Sequence, residues 1–188
     1  VRRSGVANAR WYAGAGLPPW RAKMLSSMRI ISWNIRAGGG GRIDRIAAAI
    51  DGWQPDIAAL SEFRTTPASD WLAEALADIG LQHQLTTADL NAPAANALLL
   101  TSRRSLTPAA LRPQPQPKQR ALAAIVDEPE PMLVVAVHGP LGASNLRRPF
   151  NRQILRFLAR WRGRLGVLIG DANTGRRGVD KESPASNS

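Results

Sequence analysis

MRIISWNIRAGGGGRIDRIAAAIDGWQPDIAALSEF, residues 28–63, is the stretch whose reading decides the fold. Arg29–Trp33 reads as a short buried strand and Asn34–Gly41 as a glycine-rich loop. Ile43, Ile46, Ile50 and Trp53 then recur at the spacing of one helix face, and Pro55 stops that helix. Asp56–Ser61 is a second apolar strand. Strand, loop, helix and strand follow one another with little spare chain, which is the grammar of an α/β layer.

Downstream, Thr66-Pro67 opens a second helix with proline at a tolerated first-turn position. Its expected apolar stripe is Trp71, Leu72, Ala75, Leu76 and Ile79, with Gly80 as the cap beyond its end. Ala97–Thr101, Ala121–Val126 and Leu133–His138 read as further strands, and Pro113–Pro117 as an extended connector that cannot pair in a sheet centre. Pro149–Arg162 is a third helix burying Ile154, Phe157, Leu158 and Trp161, and Leu165–Gly170 is a final strand. Elements alternate at first and then strands cluster, which points to a mixed α/β layered domain more than to a simple doubly wound sheet. The domain is expected over residues 28–175, flanked by a disordered basic extension (1–27) and a disordered polar tail (176–188). The apolar run from Val6 to Leu17 is broken by Asn8, Arg10 and two glycines, so it lacks the continuous core of an export signal.

Composition sets limits on function. The chain has no cysteine, which removes disulfides, thiolate metal sites and thiol catalysis, and fits a reducing, cytoplasmic location. No segment approaches the roughly 18 apolar residues needed to cross a bilayer. The net charge is +11, yet residues 1–29 hold six bases and no acid, so more than half of the excess lies in the extension. Basic charge favours a phosphate-bearing partner, but here that hint is modest.

Five polar residues fall at the carboxyl ends of expected strands: Asn34, Glu62, His138, Asp171 and Asn173. In α/β folds the crevice at those ends is the usual ligand site. A carboxylate there needs a partner, and a hard cation is the obvious one. Mg²⁺ is satisfied by one or two carboxylates plus waters and a substrate phosphate. Glu62 is the expected principal ligand, with Asn34 holding Glu62 or a water in place. Asp171 and Asn173, two apart in extended chain, are expected to point to one face. One would orient or deprotonate a water nucleophile while the other holds it or the phosphate. His138, if protonated, would stabilise charge on a phosphate oxygen.

Ser32-Trp-Asn-Ile35, Leu60-Ser-Glu-Phe63, Asn96-Ala-Leu-Leu-Leu-Thr-Ser-Arg103, Val137-His138 and Ile169-Gly-Asp-Ala-Asn173 together resemble successive signatures of the endonuclease/exonuclease/phosphatase superfamily. Singly each is weak; five in order, across residues 28–182, are fairly specific. The resemblance implies a four-layer α/β sandwich of the DNase I-like kind, two packed sheets with helices outside. It implies Mg²⁺-dependent (or Mn²⁺-dependent) hydrolysis of phosphoesters, with a phosphodiester substrate, DNA leading; phosphomonoesters and lipid phosphodiesters fall within the same superfamily. By position, Asn34 and Glu62 match its metal pair, and Asp171 and Asn173 the pair that handles nucleophile and phosphate. His138 matches a phosphate-contacting histidine, and Asn96 matches a motif residue without an assigned role. Members of the superfamily continue past Gly-Asp-x-Asn to a late Asp and His, whereas here the chain ends 15 residues after Asn173. The expectation is therefore a truncated or frame-shifted product, incomplete in its last strands, with an exposed sheet edge and little turnover.

Plainer readings exist for every residue named. Glu62 would pair with Arg64, His138 would bond a loop, Asn34 would cap the turn before the glycines, and Asp171-Ala-Asn173 would be an Asx-type turn. Gly38–Gly41 before a helix suggests a phosphate cradle, but position 42 is Arg where a Walker loop needs lysine after glycine, and position 43 is Ile where a dinucleotide pattern needs glycine. It reads as a flexible loop beside the site. Arg148, Arg152, Arg156 and Arg160 form an i,i+4 row opposite the third helix's apolar stripe, either a solvated face or a polyanion contact. The alternatives to a hydrolase are a non-catalytic remnant that binds nucleic acid weakly and, less favoured, a nucleotide-binding α/β module.

Overall fold

The computed structural model describes residues 28–127, 130–141 and 145–173. The expected basic extension (1–27), residues 174–175 of the expected domain and the expected tail (176–188) lie outside the described residues. Among the described residues eight strands form two four-stranded sheets. The first sheet runs in the order β1 (Ile30–Asn34), β2 (Ile57–Phe63), β4 (Ala97–Ser102), β3 (His83–Thr86); β1 and β2 are parallel and the other pairs antiparallel. The second runs β5 (Leu106–Pro108), β6 (Ala121–Val126), β7 (Met132–His138), β8 (Gly166–Asp171), with only β7 and β8 parallel. Both parallel pairs are joined by a helix: α1 (Ile43–Trp53) between β1 and β2, and α3 (Arg147–Ala159) between β7 and β8. A third, α2 (Pro67–Asp78), follows β2.

Three apolar layers hold the sandwich together. Ile57, Ala59, Leu98 and Leu100 of one sheet meet Met132, Val134, Ala136, Val167 and Ile169 of the other in a core between the sheets. The alternate residues face outward: Ala58, Leu60, Phe63 and Leu99 pack under Ile46, Ile50, Leu72 and Leu76 of α1 and α2. Leu133, Val135 and Val137 pack under Phe150 and Ile154 of α3. Helices, sheet, sheet and helix make the four layers expected of the DNase I-like sandwich.

Four details differ from the sequence reading. Trp71, assigned to the apolar stripe of α2, is exposed, because the buried apolar positions of that helix are Leu72 and Leu76. The third helix spans Arg147–Ala159 rather than Pro149–Arg162; Trp161 sits in the turn after it, its indole donating to the Leu165 carbonyl at 2.7 Å. β3 and β5 were not anticipated: both are short edge strands, and β3 carries His83, half-buried in a ladder with Ser102. Edge strands bury one face or less and so leave little hydrophobic signal. Among the described residues β8 is also an edge, and its Leu168 is 45% exposed.

Candidate functional site

The side chains that face between the sheets change character as the strands reach their carboxyl ends. Along β1 they run Ile30, Ser32, Asn34; along β7, Met132 to His138; along β8, Val167, Ile169, Asp171. Alternation with period two therefore delivers Asn34, His138 and Asp171 to one rim of the inter-sheet core. β7 and β8 pair in register with His138 opposite Asp171.

Glu62 reaches the same rim by a different device. Simple alternation would point it outward, beside Leu60. Between Ser61 and Phe63 the β2–β4 register shifts by a bulge, and Glu62 takes φ +62°. One extra residue re-aims the carboxylate and returns Phe63 to the outer core. A non-glycine residue in left-handed conformation is strained, and the loop after β1 holds it there: the Ala37 N–H donates to Glu62 Oε2 at 2.9 Å and the Gly38 N–H to the Glu62 carbonyl at 2.7 Å. Arg36 through Gly40 all have positive φ, and Gly38 is buried against Arg64 and Ser69, which suits glycine. The loop read as flexible is thus fastened to the glutamate.

One amide ties the two carboxylates. Asn34 Nδ2 donates to Glu62 Oε1 at 2.8 Å and to Asp171 Oδ2 at 3.0 Å, while Asn34 Oδ1 accepts from the Arg36 N–H at 2.9 Å. Burial raises the Glu62 pKa, but the bonds from Asn34 and Ala37 and the charges of His138 and Arg64 outweigh it, so the carboxyl titrates below its ordinary value. Each carboxylate oxygen in these bonds keeps lone-pair capacity. Two carboxylates converging on one NH₂ group suit a hard cation, which accepts oxygen ligands and needs only one or two of them from protein. Among the described residues no cluster of three or more His, Asp or Glu is arranged to hold a metal. The plain alternative, a Glu62–Arg64 pair, is not formed; Arg64 Nε donates instead to Asn96 Oδ1 at 2.8 Å, which gives Asn96 a place at the margin of the site.

Two expectations are corrected. Asn173 does not continue β8: it has φ +50°, and its N–H turns back to Asp171 Oδ1 at 2.9 Å, the Asx-type turn. Its Nδ2 donates to the Gly139 carbonyl at 2.6 Å, so it fastens the loop after β7 and does not share a face with Asp171 by strand alternation. His138 is 3% exposed, its Nε2 lies 3.9 Å from Glu62 Oε1, and its Nδ1 has no hydrogen-bond partner among the described residues. Burial and the Arg120 charge push its pKa down, more than Asp171 and Glu62 push it up. The imidazole is held towards its neutral form, which disfavours the protonated state that the charge-stabilising role of His138 was conditional on.

The sequence reading missed Arg120 and Gly139. Arg120 precedes β6, which runs antiparallel to β7, so it arrives at the rim and donates to the carbonyls of Gly139 (3.0 Å) and His138 (3.4 Å). At Gly170 (φ +140°) a Cβ would lie 1.8 Å from the Val137 carbonyl oxygen, and at Gly139 one would lie 2.6 Å from that of Ala172. Glycine at both positions lets β7 and β8 close together directly beneath the site. Only the Gly-Asp and His-Gly dipeptides hinted at this.

A sequence profile described as the Endonuclease/Exonuclease/phosphatase family matches residues 31–188. Comparison with curated proteins gives no significant match. Among solved structures, the chain is similar to an endonuclease/exonuclease/phosphatase from Beutenbergia cavernae, with 26% identity over 78% of this chain and 47% of that one, TM-score 0.59. It is similar in fold to the 3' phosphatase NExo from Neisseria, solved with a product DNA hairpin (22% identity, 78% and 58% covered, TM-score 0.62). The same holds for sphingomyelinase C from Streptomyces griseocarneus (17% identity, 81% and 66% covered, TM-score 0.62). The chain spans about half the length of the first and less than two thirds of the others.

Proposed function

Because the chain belongs to the endonuclease/exonuclease/phosphatase family, we propose that it is a divalent-metal-dependent phosphodiester hydrolase, with Mg²⁺ the resident ion and Mn²⁺ a substitute. The observation that carries this reading is the bridge of Asn34 Nδ2 between the Glu62 and Asp171 carboxylates. Glu62 would hold the ion, and Asn34 fixes the angle at which both carboxylates present their remaining lone pairs. A bound divalent ion supplies Lewis-acid stabilisation of charge on a phosphoryl oxygen. Asp171, oriented by Asn34 on one oxygen and by the Asn173 N–H on the other, is the group positioned to accept a proton from an attacking water. Asn173 and Arg120 act on the Gly139 carbonyl and so hold the loop behind His138. Neutral His138 contributes a hydrogen bond instead of a charge. DNA is the proposed substrate, supported by the net charge of +5 that remains over residues 30–188 (19 bases, 14 acids).

A second reading is favoured by the two-carboxylate composition of the site among the described residues: a domain that binds metal and phosphate without turnover. Mn²⁺ binding followed by electron paramagnetic resonance, with Mg²⁺ competition, tests the shared premise. Glu62→Gln should lose at least about 100-fold in metal affinity and Asn34→Ala about 10- to 100-fold. Unchanged affinity in Glu62→Gln overturns both readings. Plasmid nicking that requires Mg²⁺, stops with EDTA and fails in Glu62→Gln supports the hydrolase; metal binding without nicking supports the second reading.

A further inference from the structure

Helix α3 carries its charge in a way that the candidate site does not use. No acidic residue lies between Glu130 and Asp171, whereas seven arginines fall in residues 147–164. Arg148, Arg152, Arg156 and Arg160 are all exposed and stand on one line of the helix. Among the described residues no carboxylate pairs with Arg148, Arg152 or Arg156. Like charges at i,i+4 weaken a helix by a few tenths of a kcal/mol per pair, and no carboxylate among the described residues offsets that repulsion.

We propose that this face of α3 is a docking track for the phosphate backbone of a nucleic-acid duplex, separate from the Glu62–Asp171 site. Since α3 leaves the carboxyl end of β7 and returns to the start of β8, the row begins at the end of the molecule that carries the site and runs away from it. Four arginines at this spacing cover about 18 Å of helix axis, against one phosphate per roughly 3.4 Å of duplex axis on each strand. Arg148, Asn151, Arg152, Leu155, Arg156 and Ala159 frame an open depression of about 510 Å³ along the row. An anionic membrane surface fits less well. Interfacial helices bury an apolar face in the headgroup boundary, and the apolar face of α3, Phe150 and Ile154 with Phe157 and Leu158, is already committed to the core. Leu155 alone is left on the outside of the helix body.

The test is fluorescence anisotropy of a labelled, arbitrary-sequence DNA duplex of about two turns, in EDTA, across roughly 50–200 mM NaCl. EDTA separates this surface from metal-dependent chemistry, so the result stands whether or not Glu62 proves catalytic. The variant is Arg148→Ala/Arg152→Ala/Arg156→Ala; Arg160 is left intact because its guanidinium also donates to the Arg112 carbonyl. Alanine is the best helix former, so helical circular dichroism should be kept while the plot of log affinity against log salt becomes shallower by about 2.7. Over that salt range wild type should lose roughly 40-fold more affinity than the variant. Lysine at all three positions should restore the slope, because counterion release needs the charge and not the guanidinium plane. An unchanged slope in the alanine variant, or no duplex binding by wild type at 50 mM salt, overturns the proposal. So does a variant that loses binding to phosphatidylserine-containing vesicles while its DNA affinity is untouched.

Discussion

At the scale of single residues, His138 has the most exacting environment: an imidazole 3% exposed with one ring nitrogen unpartnered among the described residues. Its pKa is lowered in the fold, so between the unfolded value near 6.5 and the folded value the unfolded chain binds more protons. Stability is then flat above about pH 6.5 and falls as pH drops below it, the loss growing until the folded pKa is passed. Glu62, also lowered, contributes stability above its unfolded value of 4.5 that is lost only in more acid solution, so the two windows separate. Thermal unfolding in EDTA should show a melting temperature that declines from pH 7 to 5 in wild type and is flatter in His138→Asn. An equal decline in both would show that His138 does not set that dependence. His138 was legible in the sequence as a polar end to an apolar strand. Its protonation state was not, since the desolvation comes from neighbours distant in the chain.

At the scale of elements, local rules worked where a signal lies within a few residues. Thr66 caps α2 as its position before Pro67 suggested, accepting a hydrogen bond from the Ser69 N–H at 3.3 Å. Thr66→Ala should cost about 1 kcal/mol, read as a lower urea midpoint at unchanged m-value. Metal binding should survive, because α2 packs on the outer face of its sheet; loss of both together would mean that α2 sets the Glu62 geometry. β2 shows where local rules stop. Its apolar run is plain, but nothing in Leu60-Ser61-Glu62-Phe63 announces a bulge. The bulge exists because β4 fixes the register on one side and the Ala37–Gly38 backbone grips the glutamate on the other.

At the scale of the molecule, the core between the sheets makes the two halves of the site one unit, since Asn34 and Glu62 come from one sheet and His138 and Asp171 from the other. Leu100 is fully buried in that core, and Leu100→Ala should cost about 2–5 kcal/mol. Trp33 and Trp53, 5.1 Å apart, report on the α1 layer, and Trp161 reports on the α3 layer. Both reporters should shift together in one transition, followed by fluorescence with Trp161→Phe separating the signals. Two transitions at different temperatures would show that the sheets are independent domains.

The sequence by itself determined the mixed α/β class, six of the eight strands to within a few residues, all three helices, and the polar residues at the strand ends. Those features depend on periodicity and capping, which are properties of short stretches of chain. Only the tertiary structure decided that Glu62 turns inward, that Asn34 binds two carboxylates at once, that Asn173 leaves the face of Asp171 to hold Gly139, and that burial holds the His138 pKa below its ordinary value. Each of these follows from contacts between segments brought together by the packing of two sheets, and a linear pattern does not encode the distance between residues 34 and 171.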